Sequence, residues 1–176
     1  MLVTLSGLPG SGTSTVALLV AEQLGLDHVD GGTVFRSMAV ERGLALAEFA
    51  EVAEGDDQID RDLDARLTAR AAEGDVVLES RLAGWLAARA GLESLRIWIE
   101  CDERERANRV GGRDGEDADE ALLTNRRREG SERDRYRRYY DIDLTDRSVY
   151  DLVLDSTEAA PEALCVQIVE AAQQHA

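Results

Sequence analysis

The residues Gly7-Leu8-Pro9-Gly10-Ser11-Gly12-Thr13-Ser14-Thr15 constrain this chain more than any other stretch. They follow Leu2-Val3-Thr4-Leu5-Ser6, a run of strand character, and precede Val16-Ala17-Leu18-Leu19-Val20-Ala21-Glu22-Gln23-Leu24, which reads as a helix. Strand, glycine-rich turn and helix in that order form the context of a phosphate-binding loop. The glycines leave room for backbone N–H groups to wrap a triphosphate, and the helix N-terminus adds partial positive charge. The usual spacing is GxxxxGK[ST], and here it is GLPGSGTS, with Thr13 where the lysine belongs. A lysine would set a cation on the β- and γ-phosphates; Thr13 offers a hydroxyl alone. Ser14 keeps the hydroxyl that ligates Mg²⁺ in such loops. The alternative is a glycine-rich turn that binds nothing.

The 176 residues fit one domain spanning the whole chain, large enough to bury about 70% of the surface its unfolded form exposes. Acidic residues number 36 against 20 basic ones, a formal charge of −16, and every basic residue is arginine. No distant lysine can stand in for the one missing at position 13. Such a surface suits a halophilic cell with molar internal salt, where a Debye length of about 3 Å screens the self-repulsion. The other reading is an acidic protein from a genome that writes arginine for lysine. The charge argues against nucleic acid or an anionic membrane as the main partner. No run of about 18 apolar residues occurs, and Met1 leads straight into the first strand, so neither a signal peptide nor a membrane span is expected. Cys101 and Cys165 lie far apart without metal-type spacing. They read as free thiols of a reducing, cytoplasmic compartment.

Leu26–Asp30 reads as a second strand ending in Gly31-Gly32, with His28 inside it and no role assigned. A helix then starts at Thr33, with Phe35 and Arg36 near its first turn. Arg36 thereby stands at the C-terminal edge of the strands, where open α/β sheets bind ligands. Leu44–Ala50 reads as a short helix. Asp56 or Asp57 caps a longer one running to about Ala72, with Ile59, Leu63 and Leu67 on its apolar face. Its Asp and Arg residues are expected on a solvated face with i,i+4 pairs. Asp75–Ser80 is apolar without alternation, as a strand covered on both faces should be. Glu79 and Arg81 emerge at its end beside the loop; Arg81 is expected to face ligand, the alternative being a plain salt bridge. Trp85 reads as core.

Leu95–Cys101 is the fourth strand, and the helix after it, from Asp102 to about Val110, is expected to break at Gly111-Gly112-Arg113-Asp114-Gly115. From Arg104 to Arg138 the chain holds 11 of its 20 arginines. Arg126, Arg133 and Arg137 stand seven and four apart, a spacing that permits one stripe of guanidiniums. Such a stripe suits phosphoryl transfer, which needs cations gathered round the migrating group. An Arg/Glu-laced surface helix or a basic RNA-binding patch are the alternatives. Tyr150–Thr157 is the fifth strand. Pro161 opens a last helix with Leu164, Cys165, Ile168 and Val169 facing inward. Strands alternating with helices behind a phosphate loop give an α/β fold, a three-layer P-loop NTPase with a five-stranded parallel sheet flanked by helices.

At this point the chain resembles the archaeal type of cytidylate kinase, within the adenylate-kinase-like nucleoside monophosphate kinases. That family's loop reads close to GPPGSGTTT, and GLPGSGTST matches it even to the threonine in place of lysine. The resemblance continues through VFRSMA, LESRLAGWLA, SERDRYRRYY with YDID close behind, and YDLVLDST, in order and over nearly the whole length. It implies ATP-dependent phosphorylation of CMP and dCMP, giving CDP or dCDP and ADP, with Mg²⁺. By the same resemblance Gly7, Leu8, Pro9, Gly10, Ser11, Gly12, Thr13, Ser14 and Thr15 hold the ATP phosphates, and Ser14 holds the metal. Gly32 and Arg36 would border the monophosphate pocket, and Arg81 would contact the CMP phosphate or base side. Arg133, Asp134 and Arg137 would bind CMP and the migrating phosphoryl group, with Arg133, Arg137 and Thr13 as the catalytic set. Residues about 30–72 would form the monophosphate-binding region and about 111–138 the lid, hinged at Gly111–Gly115. A monomer is the family expectation. Ser80 stands where glycine is usual, and Leu82 where bacterial relatives carry aspartate, which leaves the reading of the cytosine amino group open.

The rivals are other small-molecule P-loop kinases, acting on AMP, UMP, shikimate or dephospho-CoA. A guanine-specific GTPase would need an NKxD element, which a chain without lysine does not have. A nucleotide sensor or RNA-binding module would bind in a strongly salt-dependent way without turnover.

Overall fold

Five strands, β1 (Leu2–Gly7), β2 (Asp27–Asp30), β3 (Val76–Glu79), β4 (Leu95–Glu100) and β5 (Leu152–Asp155), build one parallel sheet in the order β2-β3-β1-β4-β5. The computed structural model describes residues 1–175. Every residue of β1 and β3 is buried, which is why both read as runs of apolar residues without alternation. Strand order reverses at β1, which has β3 on one side and β4 on the other. A crevice opens beyond the strand ends at such a switch point. Register places Glu79 opposite both Leu5 and Asp30, so the ends of three strands converge on it.

Side chains alternate across the sheet. Val3, Leu5, Ile97 and Ile99 face α1 (Thr13–Leu24) and α8 (Pro161–His175), where Leu164, Cys165 and Ile168 are buried as the sequence predicts. Leu2, Val76 and Leu78 face α4 (Asp57–Ala72) and α5 (Ala83–Arg89). An outlying cluster of Met38, Phe49, Ala53 and Ile59 joins α2 (Gly31–Glu41) and α3 (Leu46–Gly55) to α4. Ala107, Val110 and Ala121 pack α6 (Glu103–Asp114) against α7 (Ala118–Tyr140). Trp85 packs partly buried against Leu82, Ile142 and Leu144. Among the described residues no helix is long and apolar enough to cross a membrane.

Three local expectations are corrected. Gly31 and Gly32 begin α2 instead of ending a strand, because the Asp30 carboxylate caps that helix, accepting from the Gly32 and Thr33 amides at 2.9 Å each. Gly111 and Gly112 do not break α6, which runs on to Asp114 and ends at Gly115 with φ 73°. Gly111 is instead a point of close approach: a Cβ there would lie 2.8 Å from the Glu116 carbonyl oxygen. A hinge across 111–115 therefore loses most of its basis. Finally, α4 has the expected apolar positions Ile59 and Leu67, but its acidic residues are not all solvated. Asp60 is 3% exposed, and both Asp60 and Asp64 line the cleft described below.

Candidate active site

Gly10 and Gly12 both sit at φ +82°, the left-handed region that glycine adopts freely. A Cβ on Gly10 would meet the Arg106 carbonyl oxygen at 2.4 Å, and one on Gly7 the Ser11 Oγ at 2.4 Å. The loop is thus wound too tightly for side chains at these positions. It is also clamped from behind. The Ser11 amide donates to the Leu8 carbonyl at 3.1 Å, and Ser156 Oγ donates to the Ser11 carbonyl at 2.8 Å. Arg106 of α6, 4% exposed, donates to the Pro9 carbonyl at 3.2 Å and pairs with Glu129 of α7. At the front, α1 starts at Gly12 with no side-chain cap and no acidic residue in its first turn. Its first amides are left for an anion.

The loop forms one end of a cleft of about 1060 Å³. Leu8, Pro9, Gly10, Thr13 and Ser14 line it together with Gly32, Arg36 and Arg81, so these predicted residues do converge. Ser11 is fully buried beneath them and Thr15 is exposed in the first turn of α1. Ser14 Oγ donates to Glu79 Oε1 at 2.6 Å, and Glu79 Oε2 lies 3.1 Å from His28 Nε2. Glu79 is the main addition to the predicted set; its strand-end position is legible in the sequence, its partnership with Ser14 is not. A hydroxyl and a carboxylate oxygen side by side are the hard donors that Mg²⁺ takes alongside phosphate oxygens, so these residues fit that ion. Arg36 donates to Thr33 Oγ1 at 2.7 Å and to Asp30 at 3.2 Å.

Arg81 forms the salt bridge of the alternative reading and also lines the cleft. Its Nε lies 2.7 Å from Glu132 Oε2 on α7, and its Nη1 donates to the Gly7 carbonyl. Burial would raise the Glu132 carboxyl, but the guanidiniums of Arg81 and Arg128 outweigh it and hold the group at about 2. Ser80 is seated against Gly31: a Cβ on that glycine would lie 2.9 Å from the Ser80 Cβ. Ser80 Oγ, Asn125 Nδ2 and Asp64 Oδ2 are buried in the cleft wall without hydrogen-bond partners. Orphaned polar atoms converging on one cleft mark where a ligand's own polar groups would go.

The predicted arginine stripe on α7 is one helical step out of register. Positions 124, 125, 128, 131, 132, 135 and 136 line the cleft, and Arg127 reaches it too. Arg133, Asp134 and Arg137 are exposed and lie outside the lining. Residue 133 follows 132 by about 100° of helix rotation, which carries it past the cleft edge. Arg137 instead pairs with Asp143 at 3.0 Å, and Arg126 with Glu103 at 2.7 Å. Arg127 has no partner among the described residues, and Arg128 pairs with Glu132 at 2.8 Å.

Residues 2–158 match the model of the cytidylate kinase-like family. The chain belongs to that family. A cytidylate kinase of Halorubrum lacusprofundi is 50% identical over 163 residues, 92% of this chain and 84% of the relative. One from Pyrococcus horikoshii is 43% identical over 175 residues, 99% of this chain and 89% of the relative. Among solved structures, a shikimate kinase from Acinetobacter baumannii aligns with a TM-score of 0.65 at 18% identity, covering 98% of this chain and 93% of that one. An uncharacterized protein from Eubacterium ventriosum aligns at 0.75 with 16% identity and 98% of each chain. These structural likenesses speak for the fold.

In this member of the cytidylate kinase-like family the cleft also holds an electrostatic cost. Burial pushes the Asp64 carboxyl up to about 7, with the charge of Asp60 adding to the rise and the nearby Tyr140 hydroxyl opposing it. Between roughly pH 4 and 7 the folded protein therefore holds a proton on Asp64 that the unfolded chain has released. Stability falls as pH rises through that window, by on the order of 4 kcal/mol, and levels off above it. Asp64→Asn removes the titration. Urea unfolding at pH 5 and pH 8 is expected to show a flatter slope for the variant and a gain over wild type at pH 8. An unchanged slope would mean that Asp64 is ionised throughout.

Proposed function

We propose that this chain transfers the γ-phosphoryl group of ATP to CMP, and to dCMP, yielding CDP or dCDP and ADP. Two relatives named cytidylate kinase, 50% and 43% identical over 92% and 99% of the chain, carry this reading. The single cleft joining the phosphate loop to Arg36 and Arg81 supports it. Mg²⁺ held by Ser14 and Glu79 would draw charge from the β- and γ-phosphate oxygens. The loop amides and the start of α1 bind the triphosphate, with Thr13 giving a hydroxyl. Gly32, Arg36 and Arg81 receive the monophosphate. A CMP phosphate oxygen attacks the γ-phosphorus in line, so no side chain needs to act as a nucleophile, and catalysis is positioning plus charge neutralisation. Residues 30–72 serve as the monophosphate-binding region and 111–138 as the lid, within one monomeric domain.

With lysine absent from the loop, Arg127 and Arg128 take the place first given to Arg133 and Arg137. Arg127→Ala and Arg128→Ala are each expected to lower kcat by at least about 100-fold. Arg133→Ala and Arg137→Ala should stay within about threefold of wild type, since exposed charges away from the reacting atoms contribute little. The reverse pattern would restore the original stripe. The reading itself is tested by ADP release with ATP and Mg²⁺ against CMP, dCMP, UMP, AMP and GMP, in dilute buffer and in molar KCl. Turnover on CMP that rises with salt is expected from a surface of formal charge −16. Turnover on AMP alone would keep the fold and overturn the substrate.

A further inference from the structure

Asp60 and Asp64 are one turn apart on the cleft-facing side of α4 and meet α7 there. Arg135 of α7 brings its Nε to 3.1 Å from Asp60 Oδ2, with side chains 15% and 5% exposed. The two atoms are close but out of line for a hydrogen bond, so Asp60 holds the guanidinium by charge and leaves its N–H groups to point elsewhere. Asp64 has no cation of its own; its buried Oδ2 makes no hydrogen bond of good geometry, and the Tyr140 hydroxyl is the polar group that faces it. Phe35, Ala50 and Leu63 supply apolar surface in the same cleft. Such a constellation is a poor structural device, because a buried carboxyl met by a tyrosine hydroxyl and no cation costs stability. It is a good recognition device, because a ligand's N–H group would remove that cost.

We propose that Asp64 accepts a hydrogen bond from the exocyclic amino group of the substrate base, while Arg135, aligned by Asp60, donates to the adjoining ring nitrogen and carbonyl. This rests on the reading of the cleft as a CMP site and adds how the base is told apart. The cytosine edge presents donor, acceptor, acceptor; the uracil edge presents acceptor, donor, acceptor. The ionised Asp64 carboxylate, an acceptor alone, beside a guanidinium donor matches the first order. Against the second it sets the carbonyl O4 toward Asp64 and the N3–H toward Arg135, so two buried pairs fail together. Adenine repeats the donor–acceptor order of cytosine, so the pair does not reject it; the room left by Phe35, Ala50 and Leu63 must. Discrimination against UMP and against AMP thus has separate origins, and substitution at Asp64 changes the first alone. Arg135 is a specificity residue, and Asp60 a positioning residue that acts through it.

The test compares kcat/KM for CMP, UMP and AMP at pH 8, where Asp64 is ionised, in wild type, Asp64→Asn and Asp64→Leu, with circular dichroism to confirm folding. An amide can turn either its oxygen or its NH₂ to the base, so Asp64→Asn is expected to lower the CMP:UMP ratio at least 30-fold while the CMP:AMP ratio stays within about threefold. Asp64→Leu offers neither group and is expected to lower kcat/KM for CMP at least 100-fold with little change for UMP. If Asp64→Leu does not fold, the amide variant decides. A folded Asp64→Asn protein whose CMP:UMP ratio lies within threefold of wild type overturns the base assignment alone. A wild type that fails to prefer CMP overturns the function reading, and the base assignment with it.

Discussion

Arg81→Met is expected to destabilise the protein by about 3–5 kcal/mol, the cost of leaving one partner of a buried ion pair without the other. Turnover should fall by at least about 1000-fold, since the same guanidinium lines the cleft and is proposed to receive the monophosphate. The buried partner is Glu132, 2.7 Å away. Its carboxyl sits at about 2 in the folded protein against an ordinary value of 4.5. A depressed carboxyl gives stability that is present above pH 4.5 and lost as pH falls toward 2. Arg81→Met should therefore also erase this part of the acid-unfolding limb. Adding Glu132→Leu separates structure from chemistry. The double variant should recover most of the stability, because an apolar pair can replace a buried ion pair, and none of the turnover. Recovery of both would reduce Arg81 to a structural strut, and urea unfolding at several pH values together with ADP release reads all three effects.

Glu79→Gln is expected to lower kcat by about 1000-fold at ordinary Mg²⁺, with ATP affinity in the absence of metal within a few-fold of wild type. The amide is the same size as the carboxyl and still accepts from Ser14 Oγ, which lies 2.6 Å from Glu79 Oε1. What it removes is the negative charge that draws a hard cation to that hydroxyl. The loss should shrink as Mg²⁺ is raised, and a Mg²⁺ titration of kcat at fixed ATP shows whether it does. His28 shares the carboxylate at 3.1 Å and keeps an acceptor oxygen in the variant, so the fold should survive. Wild-type turnover in Glu79→Gln at every Mg²⁺ concentration would remove Glu79 from the metal site.

The sheet, the phosphate loop and the order of the helices were legible because their signals are local. An apolar run such as Val76-Val77-Leu78 names a covered strand wherever it sits, and a glycine that must adopt positive φ, as Gly10 does, leaves a mark in the sequence. Helix faces were harder to read. Arginine spacing on α7 identifies sets of residues that share a face, but not which set turns inward. That depends on what α7 packs against, through Ala121 to α6 and through Glu132 to Arg81. One residue of rotation separates Arg133 from Glu132, and no periodicity within the helix fixes it. The acidic residues of α4 went the same way. Asp60 and Asp64 have the composition of a solvated face, and only the approach of Arg135 and Tyr140 from another element makes them interior. Gly111 shows the limit for turns: the residue that commonly ends a helix is here because Glu116 folds back onto it.

The threonine at position 13 has a consequence for ATP as well as for CMP. A loop that carries its own lysine neutralises the terminal phosphate as soon as ATP binds, whether or not an acceptor has arrived. This loop brings amides and hydroxyls only, and the cations of the cleft stand on α2, α6 and α7 and at the end of β3. On the proposed reaction, ATP bound alone would be held but left short of positive charge at the phosphorus that must be attacked. Water entering the open cleft meets an unactivated triphosphate. On the proposed reaction the missing cation would act as a safeguard, tying the reactivity of the donor to the presence of the acceptor.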